Sequence, residues 1–130
     1  MADTGGPRVV TASWSVAVAL IVLVSLAHSY LGERYILIRL FKRDLPKLLG
    51  GVEFTRGTLR FAWHLTSVAW IALGAVLFAV ARAEEGVRTS VGRILAVTFL
   101  IHGLVALLGS RGRHLSWIVF FAISGLVFFG

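Results

Sequence analysis

A chain of 130 residues has room for one domain, and 58% hydrophobic against 15% charged residues is too apolar for a soluble domain of that size. The formal net charge is +7, yet the basic residues border long apolar runs, which points to lipid headgroups and not to nucleic acid. Cysteine is absent, which excludes disulfides, thiolate metal sites and thiol redox chemistry together.

In chain order, a short polar tail precedes an apolar run over residues 9–31, in which His28 is the only group able to carry charge. A signal peptide would have a shorter apolar region followed by a small-residue cleavage site. Here Tyr30-Leu31-Gly32-Glu33-Arg34 follows, so the run reads as a retained first membrane span. Thr11, Ser15, Val18, Val22, Ser25, Ser29 and Gly32 recur along it at alternating four and three. That is a seam of small or β-branched residues suited to close helix packing in lipid.

Residues 34–43 are apolar but too short to span and are interrupted by Arg39, Lys42 and Arg43. They predict a short interfacial helix, lying along the membrane surface or prolonging the first helix into the headgroups. Asp44-Leu45-Pro46 should end it, because proline disfavours helical geometry in the residue before it. Gly50-Gly51 reads as a flexible turn, with Thr55 or Thr58 as a cap for the second span.

That span covers residues 59–81, and no charge interrupts the run from Phe61 to Ala81. Arg56, Arg60 and His64 form a basic ladder at its entrance. Ser67, Ile71, Gly74 and Phe78 are expected to carry the same face inward. Glu84-Glu85-Gly86 turns the chain, and Thr89 or Ser90 is the expected cap of a third span over residues 90–109. Gly92, Ala96, Phe99, Gly103 and Ala106 form its small-residue seam. A tight basic turn, Gly109-Ser110-Arg111-Gly112-Arg113, leads to a last helix over residues 114–130, short for a full crossing. The predicted fold is therefore all-α, a single integral-membrane bundle of four helices in up-down-up-down order.

Arg34, Arg39, Lys42, Arg43, Lys47, Arg56, Arg60, Arg111 and Arg113 lie on one side of these spans. Arg8, Arg82, Arg88 and Arg93 lie on the other. By the positive-inside rule both termini face away from the cytoplasm, in a bacterial inner membrane. No acidic or basic residue lies deep in any span, which removes the carboxylate that a small proton-coupled exporter needs. Both lysines fall in the first connection, so a retinal Schiff base is excluded. No serine sits in a nucleophile elbow, and no carboxylate pair is available for acid–base hydrolysis.

The histidines are the sharpest signal. His28, His64, His102 and His114 place one imidazole on each helix, all in the same half of the bundle. Neutral imidazoles at similar depth suit a metal ion or the iron of a haem. His64 with His102 is the best axial pair for haem b, with Arg60 one turn above to meet the propionates. His28 would join those two around a bare metal ion. The plainer alternative is that each histidine near a span's end hydrogen-bonds a neighbouring helix and reaches water.

The remaining features read as follows. Arg56, Arg60, Lys42 and Arg43 are candidates for anionic headgroups. Glu33 can pair with Arg60 across the bundle and lock two helix ends. Trp63 and Trp70 read as a packing stripe, with a quinone site as the alternative. Ser25, Ser29, Gly74 and Gly103 are assigned to helix packing.

At AHSYLGER (Ala27 to Arg34) and FAWHLTSVAW (Phe61 to Trp70) the chain resembles small bacterial inner-membrane proteins without assigned activity. GSRGRHLSW (Gly109 to Trp117) is similar to the RHL segment of haem-bearing membrane anchors of succinate dehydrogenase, which have three spans and another histidine arrangement. Three functions stand at this point. The first is a non-enzymatic accessory or assembly subunit of a homo-oligomeric or larger membrane complex, with membrane lipids as partners. The second is a haem- or metal-binding protein for electron transfer or sensing, and the third a small-molecule carrier.

Overall fold

The computed structural model describes residues 6–47, 51–113 and 115–130, with side chains placed from residue 12 onward except at 109 and 110. The expected role of His114, together with Thr11, Arg8 and Gly50, lies outside the residues or side chains so described. Every regular element among the described residues is helical. Helix α1 (Gly6–Leu31) runs without a break through a π-helical segment, Gly32–Leu37, into a last turn, α2 (Ile38–Leu40). Helices α3 (Val52–Val80), α4 (Glu85–Ser110) and α5 (Ser116–Phe129) follow.

Among the described residues, three helical stretches are long and apolar enough to cross a membrane: Ala12–Leu40, Val52–Val80 and Glu85–Leu108. Helix α5 has 14 residues, about 21 Å at 1.5 Å per residue against hydrocarbon about 30 Å thick. Residues 34–43 do not form a separate helix. Leu31, Leu37 and Ile38 all keep right-handed helical dihedrals, so the segment prolongs α1. It stops at Leu40, well ahead of Pro46, where Lys42 and Arg43 close short turns onto the Arg39 and Leu40 carbonyls.

The expected caps are not used. Helix α3 begins at Gly51, whose φ of 104° suits a residue without a Cβ. Thr55 lies one turn inside and donates to the Pro46 carbonyl at 2.7 Å, tying the connection to the helix. Helix α4 starts at Glu85 after Glu84, several residues before Thr89, with acidic groups favoured at the positive end of the helix. It ends on Arg111 in left-handed geometry (φ 52°), and the Gly112 N–H reaches back to the Leu107 carbonyl at 2.8 Å.

Helix α1 packs on α3 and α5, and α4 packs on α5 and α3. Trp14, Ala17 and Ile21 of α1 meet Trp70 and Leu77 of α3, Leu95, Ala96 and Phe99 of α4, and Phe120, Ile123 and Val127 of α5 in one core. Small residues set how close the helices come. A methyl on Gly74 would stand 3.1 Å from Ile21 Cγ2, and one on Gly92 would stand 2.9 Å from the Trp14 ring. One on Gly103 would overlap the Phe121 ring. Ser25 is fully buried and donates to its own helix's Ile21 carbonyl. Ser124 of α5 donates to the Ala96 carbonyl of α4 at 2.8 Å. The α4 seam is thus filled within the chain.

The buried line of α3 is Ser67, Trp70, Gly74 and Leu77, while Ile71 and Phe78 are exposed. The expected line through Ile71 and Phe78 steps four, three, four from Ser67, and the buried line steps three, four, three; both share Ser67 and Gly74, and contact with the neighbouring helices selects the second. Outward, Leu23, Leu26, Phe61, Ile94, Val105 and Leu108 are all more than half exposed. An outer surface apolar on three long helices is what hydrocarbon solvent allows and water penalises.

Candidate functional site

Two i, i+4 pairs on α1 and its extension, His28 with Gly32 and Ser29 with Glu33, face one line of α3 formed by Arg60, Trp63, His64, Ser67 and Trp70. The π segment opens at Gly32, where a Cβ would overlap the Trp63 indole. Only glycine lets that ring lie against the α1 backbone. Trp63 donates its indole N–H to the His28 carbonyl at 2.9 Å and stacks on the His28 ring, with centroids 4.5 Å apart and planes 1° from parallel.

Beside this stack runs an unbroken polar chain. Arg60 holds Glu33 with two contacts, Nη2 to Oε1 at 2.8 Å and Nε to Oε2 at 3.1 Å. The same Oε2 is 3.3 Å from His64 Nε2. The other ring nitrogen of His64 is 3.0 Å from Ser29 Oγ. Ser29 Oγ is 2.9 Å from Ser67 Oγ, and Ser67 Oγ is 2.9 Å from His28 Nδ1. The chain starts at Arg60 and Glu33, 49% and 29% exposed, and passes through Ser67, only 4% exposed, to His28.

His28 also lines a groove of about 660 Å³ between α1 and α5. Leu20, Val24 and Val119 form its apolar walls, Trp63 and Trp70 its aromatic side, and Tyr35, Arg113 and Ser116 its polar fringe. The volume is that of an ordinary small-molecule site.

The histidines expected to act together are kept apart. Trp70 makes edge-type contacts with both His28 and His102, with ring centroids 4.8 and 6.0 Å apart. His102 is set among Phe99 and Phe120, and its Nδ1 is bonded to the Thr98 carbonyl of its own helix at 2.8 Å. His64 faces Ser29 and Glu33, and neither His64 nor His102 lines the groove. Among the described residues no three metal-capable side chains form a cluster, so His28, His64 and His102 are not assembled around one point. Depth along each helix was readable from the sequence; the angle about each helix axis was not.

Arg60, expected at propionates or headgroups, is engaged by Glu33, and Arg56 by Glu53 (2.6 Å) and the Phe41 carbonyl (2.9 Å). Lys42 and Arg43 are exposed beyond the end of α2. Ser29 and Gly74, assigned to packing, do pack, but Ser29 also stands at the centre of the polar chain. Tyr35 and Arg113 were not grouped from the sequence, because one lies in the extension of α1 and the other in the turn after α4. Comparison with family models, with curated proteins and with solved structures gives no match.

Proposed function

We propose that the chain is a multi-pass protein of the bacterial inner membrane that binds a lipid-soluble small molecule in the α1–α5 groove. The ligand has a flat polar end that lies against Trp63, Trp70 and His28, and an apolar remainder that follows Leu20 and Val24. The single observation that carries this reading is the groove itself: about 660 Å³, walled mostly by apolar side chains, with His28, Trp63, Trp70, Tyr35, Arg113 and Ser116 also in its lining. In this reading the helices run up-down-up-down. Ser13 near the start of α1 bonds the Leu126 carbonyl near the end of α5, and Glu33 just beyond the end of α1 meets Arg60 in the first half of α3. The basic connections place both termini on the non-cytoplasmic face.

An assembly subunit draws less support than its seams first offered. Gly74, Gly92 and Gly103, the residues best suited to an external partner, are filled by Ile21, Trp14 and Phe121 of the same chain. A haem between His64 and His102 draws no support from the groove, which neither residue lines.

The test uses a short-chain alkyl benzoquinone, a flat polar ring on an apolar tail that quenches indole emission. In detergent, quenching of the wild-type protein should saturate. Ala27→Phe, which fills the groove, should abolish the saturable part, while Leu100→Phe on the outside of α4 should not. Linear, unsaturable quenching, or equal behaviour of the two variants, would refute the groove as the site.

A further inference from the structure

We propose that Ser29 and Ser67 form a proton relay between His64 and His28, joining the Glu33–Arg60 pair to the groove. The inference follows from counting protons. Each serine hydroxyl has one hydrogen and can donate once. Glu33 as a carboxylate only accepts, so His64 carries a proton on Nε2 throughout, directed at Oε2 3.3 Å away. The three remaining links, Ser29 to His64, Ser29 to Ser67 and Ser67 to His28, must then all point the same way. Two arrangements satisfy every group. In one, His64 is neutral, Ser29 donates to its Nδ1, Ser67 donates to Ser29, and His28 donates from Nδ1 to Ser67. In the other, His64 is an imidazolium donating to Ser29, Ser29 donates to Ser67, and Ser67 donates to His28 Nδ1.

Once Nε2 of His28 has taken up a proton from the groove, three short hops convert the first arrangement into the second. The Nδ1 proton of His28 passes to Ser67 Oγ, the Ser67 proton to Ser29 Oγ, and the Ser29 proton to His64 Nδ1. A proton bound at Nε2 of His28 thereby reappears as positive charge on His64, and no heavy atom needs to leave its place. Run backwards, the same hops return a proton to His28. Charge at His64 is tolerable because Glu33 faces it, with Arg60 holding that carboxylate from the far side. At the other end His28 lies between Trp63 and Trp70, and Tyr35 and Arg113 are the other titratable or charged groups on the groove it lines. His102 is the remaining described histidine nearby, and it is tied to Thr98 across the Trp70 ring.

The consequence for the groove rests on its reading as a binding site: its ligand is one that gains or loses a proton, such as a phenol-type ring or a weak base. The relay itself requires only the hydrogen bonds. Histidine-selective nitrogen-15 spectra of the full chain in lipid nanodiscs test it without any ligand. As pH falls, His28 should pass from the Nδ1–H to the Nε2–H form over the same interval in which His64 gains its second ring proton. Ser67→Ala and Ser29→Ala should each separate the two events, leaving the His28 tautomer indifferent to His64. His102 should keep its proton on Nδ1 in every sample and so reports an intact fold. A single His28 tautomer across the His64 titration in the wild type would overturn the relay, as would coupling that survives Ser67→Ala. Either result would leave the quinone-quenching test of the groove standing.

Discussion

Gly32→Ala measures how closely α1 and α3 approach at the site. The added methyl overlaps the Trp63 indole, so one of two things must happen. If the indole stays, the site is overpacked by one carbon at a cost of about 1–3 kcal/mol. If the indole moves, it gives up its hydrogen bond to the His28 carbonyl, about 1 kcal/mol, and its stack on His28, about 0.5–1.5 kcal/mol. Both routes come to about 2 kcal/mol. Against this, alanine is favoured over glycine inside a helix by about 1 kcal/mol. The net expectation is destabilisation by about 1 kcal/mol.

A net value that small is made decisive by a second background. With Trp63→Ala the clash is gone, and Gly32→Ala should then stabilise by about 1 kcal/mol through helix propensity alone. The coupling between the two positions is about 2 kcal/mol. Reversible unfolding in mixed detergent micelles, followed by circular dichroism, measures all four corners of the cycle. A coupling below about 0.5 kcal/mol would mean that Trp63 does not lie on Gly32.

Gly103→Leu should lower the unfolding midpoint of the monomer much more than Leu104→Phe in the same micelle titration, since Gly103 faces Phe121 and Leu104 is exposed; equal midpoints would put α5 on another face of α4. Single cysteines added at each end of the cysteine-free chain should both react with an impermeant maleimide from the non-cytoplasmic side; cytoplasmic labelling of either end would overturn the orientation.

The long helices were legible because unbroken apolar runs have few other stable forms in lipid. The Glu33–Arg60 contact was legible too, since both groups flank apolar runs and carry opposite charge. What failed was angular. The face drawn through Ile71 and Phe78 lies one position, about 100° around a helix, from the buried Trp70 and Leu77, and only the partner helix decides between them. The sequence likewise gives no sign that His64 bonds Ser29 or that His102 bonds the Thr98 carbonyl of its own helix. Thr55 and Thr89 were misplaced as caps because a cap is defined by where the helix starts, and flanking Gly51 and Glu84 moved both starts outward.

The polar chain also settles what fixes the register of α1 on α3. The ion pair of Arg60 and Glu33 looks like the lock from the sequence, but its side chains are 49% and 29% exposed, and such pairs contribute at most about 1 kcal/mol. Deeper in, four bonds cross between the same two helices: His28 to Ser67, Ser29 to Ser67, Ser29 to His64, and Trp63 to the His28 carbonyl. Hydrogen bonds between helices in lipid contribute about 0.6–2 kcal/mol each. A slip of one helical turn, about 5.4 Å, would break all four together. At the depth of Ser67, which is nearly closed off, no water stands ready to replace them. The same groups that can pass a proton therefore also hold the helices in the one alignment where it can pass. Cutting the relay at Ser67 removes two of the four bonds and leaves Ser29–His64 and Trp63–His28 to keep the alignment. Ser67→Ala should accordingly lower stability while keeping His28 against Trp63, so that proton coupling is lost before the fold is.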